Sequence, residues 1–190
     1  MKKKVLYILL SLLTGFMTGS NASAQPSKVI IVRHGEKDPP GGDNLNCMGL
    51  NRSLALPGVL SSMFGTFSYI FVPTPSTGGT TTKVRMLQTA TPFAVQNNLE
   101  IDSKHSETDA SGTADAVMKR TGTVLLVWEH SQINNVAHAL GVPNSQMHNW
   151  DDSDFNTIYI ITNPTTKSGK SANFAKSTEG LFKLSSNCPQ

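Results

Sequence analysis

The sequence VIIVRHGE, residues 29–36, contains the pattern that decides the fold. Residues 29–32 are all apolar and β-branched, which is typical of a strand buried on both faces of a parallel sheet. Arg33 and His34 follow at once and put two polar side chains at the carboxyl end of this strand. Because ligands bind at that edge of open α/β sheets, the stretch predicts both the sheet and the position of a binding site.

The remaining chain alternates between strand patterns and helix patterns. Segments typical of strands occur at residues 69–72, 99–101, 123–128, 155–162 and 171–176. Helical spacing occurs at residues 51–63, 84–97, 114–120 and 133–140. This alternation predicts an α/β three-layer sandwich with a mainly parallel sheet, helices on both faces and an antiparallel hairpin near the C-terminus. Pro57 and Gly58 predict a kink, or two short helices, within the first helical segment.

Residues 1–24 have the pattern of a secretory signal peptide. Three lysines at positions 2–4 precede an apolar run that ends at Met17, and Ala22-Ser23-Ala24 matches an A-x-A site with cleavage after Ala24. The run is shorter than the roughly 18–20 residues that span a bilayer. We therefore expect a mature domain of residues 25–190 that is periplasmic or secreted and has no membrane span.

The charge balance changes when the signal is removed. The full chain has 16 Lys and Arg against 13 Asp and Glu, and three of the lysines lie in the signal. The mature chain is formally neutral, so nothing in its charge favours nucleic acid as a partner. Its length suits a single domain, and the oligomeric state is left open.

Both cysteines, Cys47 and Cys188, lie in the exported part of the chain. In an oxidising compartment two cysteines most simply form one disulfide, which here would tie the region after the first strand to the C-terminal tail. Two unpaired thiols are the alternative. Neither cysteine has the sequence context of a catalytic nucleophile.

A second apolar strand, residues 123–128, ends in the same manner as the first, because Glu129 and His130 follow it directly. Parallel neighbours would bring His34 and His130 to one edge of the sheet. The guanidinium of Arg33 suits phosphate, and Arg85 at a helix start adds its charge and free backbone N–H groups. The pattern predicts an anion site that contains a histidine nucleophile.

These motifs resemble the histidine phosphatase (phosphoglycerate mutase-like) superfamily, and in particular its small exported bacterial members. The resemblance rests on Arg33-His34-Gly35-Glu36 after a strand, on RMLQTA at residues 85–90, and on the late His130, in the order of the family. It covers most of the mature chain.

The resemblance implies phosphoryl transfer through a covalent phosphohistidine, without a metal or another cofactor. His34 would be the nucleophile, and Arg33, Arg85 and His130 would bind the phosphoryl oxygens. Lys37 is a further candidate for contact with the substrate. We see no HExxH or CxxC spacing that would indicate a metal site.

The mechanism also needs a carboxylic acid to protonate the leaving oxygen. Phytase-like acid phosphatases place an aspartate after the late histidine, where this chain has Ser131. Other members use a glutamate from the loop after the second arginine's helix, which favours Glu107, with Asp109 as the alternate. Glu129 ranks third, because adjacent strand residues point to opposite faces and His130 is expected to face the site.

The sequence thus predicts an exported phosphatase that acts on a small or surface-attached phosphomonoester. The alternative is a protein that binds a phosphorylated ligand on the same fold without turning it over. The acids at positions 151, 152 and 154 predict a solvated turn before the strand at residues 155–162.

Overall fold

The computed structural model describes residues 25–38 and 42–189, so the predicted signal peptide lies outside the described residues. The elements follow in the order β1 (Pro26–Arg33), α1 (Cys47–Phe64), β2 (Tyr69–Phe71), α2 (Arg85–Asn97), β3 (Ile101–Asp102), α3 (Ala110–Val117), β4 (Gly122–Trp128), α4 (His130–Ala139), β5 (Thr157–Thr162) and β6 (Asn173–Thr178). A turn of 3-10 helix, Asn144–Gln146, precedes β5. Across the two described ranges, we find no helix with the length and apolar character needed to cross a membrane.

The strands form one sheet in the order β3-β2-β4-β1-β5-β6. Strands β3, β2, β4 and β1 run parallel, whereas β5 and β6 add an antiparallel pair at one side. The predicted α/β architecture with a C-terminal antiparallel hairpin is confirmed. Since β1 and β4 are parallel neighbours, their carboxyl ends meet at the same edge of the sheet.

Strand β1 supplies the core on both sides of the sheet, because its side chains alternate between the faces. Val29 and Ile31 pack with α3 and α4, while Ile30 and Val32 pack with α1 and α2. This double burial explains the unbroken apolar run in the sequence. Arg33 pairs with Trp128 of β4. The residues that follow the two strands, His34 and Glu129, therefore lie side by side at the edge of the sheet.

Helix α1 is a single helix of 18 residues, and the expectation of two short helices is wrong. Pro57 lies inside it and removes one backbone N–H donor, at a cost of roughly 3 kcal/mol. Leu56 and Leu60 are completely buried on either side of the proline. Their burial stabilises the helix by about 2 kcal/mol each, enough to outweigh the interruption.

Two glycines bring α1 against the segment that follows β1. A Cβ atom on Gly35 would lie 2.8 Å from the carbonyl oxygen of Gly49, and one on Gly49 would collide with the Glu36 backbone. The amide of Asn46, which caps α1, donates to the Glu36 carbonyl at 3.0 Å. The start of α1 therefore rests directly on the chain next to His34.

The predicted disulfide between Cys47 and Cys188 is confirmed, with the two Cα atoms 4.4 Å apart. The side-chain amide of Asn51 adds hydrogen bonds to the carbonyls of Ser185 and Asn187, at 2.9 and 2.8 Å. The C-terminal tail is thereby fastened across the first turn of α1.

A buried ion cluster links the same region to β6. The guanidinium of Arg52 donates to both carboxylate oxygens of Glu36, at 2.7 and 3.0 Å, and to Glu179 at 2.5 Å. Glu179 is 4% exposed, and its second oxygen has no hydrogen-bond partner among the described residues. Burial, opposed in part by Arg52, raises the pKa of Glu179 to about 7.

We expect Glu179 to make the protein less stable as the pH rises toward neutrality. The pKa of Glu179 is higher in the folded state than in the unfolded chain, where it is about 4.3. Its contribution to the free energy of unfolding is therefore present below about pH 4.3 and is lost as the pH rises through about 7. Relative to Glu179→Gln, the wild type should lose about 3 kcal/mol of unfolding free energy between pH 4.5 and 7.5. Urea unfolding of both proteins at several pH values measures this difference.

A control for that measurement is Glu107→Gln, which changes a partly exposed ion pair with Lys83. Its unfolding free energy should follow the wild type across the same pH range. Parallel profiles for Glu179→Gln and the wild type would contradict the assignment.

Candidate active site

His34 follows the last residue of β1 and is 0% exposed. Its Nδ1 lies 2.7 Å from the carbonyl oxygen of Gly35, and its Nε2 lies 3.0 Å from Oε2 of Glu129. Both ring nitrogens face oxygen acceptors, so a ring with a proton on each nitrogen satisfies both contacts. The Gly35 contact also holds Nδ1 protonated, which leaves Nε2 as the nitrogen that can become a nucleophile.

Glu129 is the centre of the site. Strand β4 ends at Trp128, and Glu129 is the N-cap residue of α4, so strand alternation no longer applies at this position. Glu129 therefore points into the site, and the expectation that it points away from it is wrong. Oε2 of Glu129 accepts hydrogen bonds from His34 and from the guanidinium of Arg85, both at 3.0 Å.

The partners of Glu129 keep its carboxylate ionised. Burial by itself would raise the pKa of Glu129. The hydrogen bond and charge of His34, the hydrogen bond from Arg85 and the charge of His130 outweigh burial and hold the pKa far below its usual range.

His130 is the first residue of α4 and lies between two carboxylates. Its Nδ1 is 2.5 Å from Oε1 of Glu129 but is not aligned for a hydrogen bond, so this is a contact of charges. Its Nε2 is 2.6 Å from Oδ1 of Asp152. The two ring nitrogens thus face opposite directions, one toward Glu129 and one toward the loop before β5.

Arg33 is 3% exposed and holds that loop in place. One terminal nitrogen donates to the backbone carbonyls of Asp151, Asp152 and Asp154, at 3.2, 2.8 and 3.0 Å. Its guanidinium carbon lies 3.8 Å from the ring centroid of Phe155. Burial lowers the pKa of Arg33, against the pull of nearby carboxylates that include Glu129 and Asp152.

Arg85 is the first residue of α2, as the sequence predicts. It donates to the Gly42 carbonyl at 2.8 Å as well as to Glu129. The Nε atoms of Arg33 and Arg85 are buried without a hydrogen-bond partner in the described part of the chain. Two unsatisfied guanidinium N–H groups leave room for an acceptor with several oxygens.

No protein-family model and no curated protein matches the chain, but solved structures do. A candidate phosphohistidine phosphatase SixA from Agrobacterium tumefaciens aligns with a TM-score of 0.52 at 16% identity, over 72% of this chain and 92% of that chain. A mycobacterial glucosyl-3-phosphoglycerate phosphatase, solved with inorganic phosphate, aligns at 0.51 with 13% identity, over 80% and 96%. This chain has the fold of these phosphatases.

A candidate alpha-ribazole-5'-P phosphatase from Escherichia coli also shares this fold, with a TM-score of 0.50 at 11% identity over 79% of this chain and 95% of that chain. These neighbours are members of the histidine phosphatase superfamily. At such identities the likeness concerns the fold, so the chemistry of this chain has to be argued from its own side chains.

The two acids that the sequence ranked first lie in other contacts. The carboxylate of Glu107 pairs with Lys83 at 2.8 Å. Asp109 caps α3 through the Gly112 amide at 2.9 Å and pairs with His105 at 2.8 Å, and the hydrogen bond from His105 lowers the pKa of Asp109. The described contacts of these carboxylates therefore do not include His34, whereas those of Glu129 do.

A cavity of about 320 Å³ opens beside this cluster. It is lined by Arg33, Lys37, His130, Asp152 and Phe155. Lys37, the predicted substrate contact, thus lies at the same opening as two of the predicted phosphate ligands. The aspartate-rich turn is exposed at residues 151–153, as predicted, and its Asp152 also lines this cavity.

Nitrogen atoms of His34 and His130 and an oxygen of Glu129 lie within 4.8 Å of one another, which is close enough to chelate a metal ion. The surrounding charge favours an anion instead. Arg85 already donates to the same oxygen of Glu129 that contacts His34, and Arg33 adds a second buried guanidinium. A divalent cation bound to this oxygen would lie close to the positive guanidinium of Arg85, which repels it.

Proposed function

We propose that this chain is an exported member of the histidine phosphatase superfamily that hydrolyses phosphomonoesters through a phosphohistidine at His34, without a metal ion. One observation carries the proposal. Two histidines and an arginine converge on the single carboxylate of Glu129 at the edge where β1 and β4 end, and Arg33 lies at the same edge. This set has the donors that a phosphoryl group needs and a nitrogen nucleophile among them.

The phosphoryl group would take the place that the Glu129 carboxylate holds in the cluster. Arg85 and His130, which now contact Glu129, would donate to phosphoryl oxygens, and Nε2 of His34 would face phosphorus. His34 has no exposed surface, so Glu129 must turn aside before phosphorus can approach Nε2.

Once phosphate has taken over the contacts of Arg85 and His130, these groups no longer hold the pKa of Glu129 so low, and a proton shift from His34 to Glu129 would prepare the site for attack. It frees the lone pair on Nε2 and neutralises the carboxylate, which removes the repulsion between Glu129 and the incoming phosphate. Nε2 then forms a bond to phosphorus as the bond to the leaving oxygen breaks. Arg33, Arg85 and His130 stabilise the charge on the remaining oxygens.

Water would complete the cycle by attacking the phosphorus of the intermediate. The P–N bond breaks, inorganic phosphate leaves, and the proton held by Glu129 returns to Nε2 of His34. The starting ion pair is restored, so no metal, nucleotide or other cofactor enters the cycle.

Export is supported by the signal pattern of residues 1–24 and by the Cys47–Cys188 bond, since disulfides persist in oxidising compartments. The substrate would be a phosphomonoester outside the cytoplasm, small or attached to a surface.

The test is hydrolysis of 4-nitrophenyl phosphate by the wild type and by Arg85→Ala. We expect the wild type to hydrolyse the substrate in the presence of EDTA and to be inhibited by vanadate. In Arg85→Ala, kcat should fall by a factor on the order of 10²–10³. Loss of activity with EDTA would indicate a metallohydrolase. Absence of hydrolysis, with phosphate retention that requires Arg33 and Arg85, would favour a protein that binds phosphorylated ligands.

A further inference from the structure

The cavity beside the His34 cluster has one carboxylate among the described residues that line it, that of Asp152. The side chain of Asp152 is 92% exposed, yet it contacts His130 at 2.6 Å. Leaving groups and water would pass through this opening. A carboxylate in that position is placed to exchange protons with either of them.

The backbone that carries Asp152 is held from several sides. Arg33 donates to its carbonyl oxygen at 2.8 Å and to those of two neighbours. The carboxylate of Asp151 accepts from both the amide and the hydroxyl of Ser153, at 2.8 and 2.5 Å. The indole of Trp150 donates to the Asp154 carbonyl at 2.8 Å. The backbone at Asp152 is therefore fixed beside the cavity.

His130 separates the two carboxylates of the site. Its Nδ1 faces Glu129, which contacts the nucleophile, and its Nε2 faces Asp152, which lines the opening. In phosphoryl transfer the attacking and leaving atoms lie roughly in line through phosphorus. His34 contacts Glu129 and so lies on one side of His130. The leaving oxygen, opposite the nucleophile, would then lie on the other side of His130, where Asp152 is.

We propose that Asp152 is the acid that protonates the leaving oxygen, an inference that rests on the proposed phosphatase function. As the P–O bond breaks, the carboxyl proton of Asp152 moves to the leaving oxygen and an alcohol departs. In the second half, the Asp152 carboxylate takes a proton from the attacking water as the P–O bond to water forms.

The test compares Asp152→Asn with the wild type on two substrates whose leaving groups differ in acidity. An alkyl phosphate needs its leaving oxygen protonated, whereas 4-nitrophenyl phosphate releases a stable phenolate. We expect kcat/KM to fall on the order of 10²–10³ for the alkyl phosphate and less than about 5-fold for the aryl phosphate. Asp151→Asn, on the same loop, is the matched control. It should leave the ratio of kcat/KM for the alkyl phosphate to kcat/KM for the aryl phosphate unchanged.

Equal losses on both substrates would mean that Asp152 only positions His130 or the loop, and would overturn the proposal. An unchanged rate on the alkyl phosphate would overturn it as well. If the wild type forms no phosphoenzyme and hydrolyses neither substrate, the phosphatase function itself fails, and this inference fails with it. Thermal unfolding of Asp152→Asn should match the wild type, because the altered side chain is exposed.

Discussion

Replacing His34 with alanine should lower kcat for aryl phosphate hydrolysis by a factor on the order of 10⁴–10⁶, the range found when a covalent nucleophile is removed. The reason is specific to the site. His34 Nε2 is the nitrogen that faces Glu129, while Nδ1 is occupied by the Gly35 carbonyl. We expect the variant to form no phosphoenzyme when it is mixed with labelled substrate and quenched in alkaline denaturant, where phosphohistidine survives.

The buried position of His34 calls for a second variant, since alanine leaves Glu129 without one of its partners. His34→Gln retains an amide donor for the carboxylate but has no nucleophilic nitrogen. If either variant folds, as judged by its unfolding midpoint, and still turns over at the wild-type rate, a phosphohistidine mechanism at this residue is wrong.

Replacing Glu129 with glutamine is expected to lower kcat on the order of 10²–10³ while phosphate and vanadate bind at least as tightly as in the wild type. A glutamine cannot accept the proton of His34, so the nucleophile is not released. It also carries no negative charge to compete with phosphate for Arg85 and His130. Steady-state kinetics and competitive inhibition by vanadate measure the two effects separately.

The dependence of the rate loss on the leaving group distinguishes Glu129 from Asp152. Because Glu129 acts on the nucleophile, Glu129→Gln should affect alkyl and aryl phosphates equally. Glu107→Gln is the matched control, since its carboxylate pairs with Lys83, and it should change kcat less than about 3-fold. A large loss in the control, with little change in Glu129→Gln, would restore Glu107 as the catalytic acid.

The fold class follows from local patterns that the sequence displays. The β-branched run of residues 29–32 is buried on both faces of the sheet, and the alternation of strands and helices predicts the parallel arrangement. The parallel pairing of β1 with β4 then brings His34 and Glu129, which follow the two strands, into contact. In a parallel sheet, the residue at which each strand ends thus predicts which side chains meet at the sheet edge.

The identity of the carboxylate in the site was decided by tertiary structure. Strand β4 ends at Trp128, so Glu129 and His130 are not strand residues, and the rule that adjacent strand residues point to opposite faces does not apply to them. As the N-cap of α4, Glu129 turns toward His34 and Arg85. Glu107 is drawn instead to Lys83, a residue 24 positions away whose approach no local pattern predicts.

The loop with Asp152 depends on tertiary contacts in the same way. Its aspartates are typical of a solvated turn, and the sequence alone predicts no more than that. Arg33, 119 positions earlier, donates to the Asp152 carbonyl and fixes the loop beside His130. The sequence determined the sheet and the residues that end its strands, while long-range ion pairs and hydrogen bonds decided which carboxylates lie in the site.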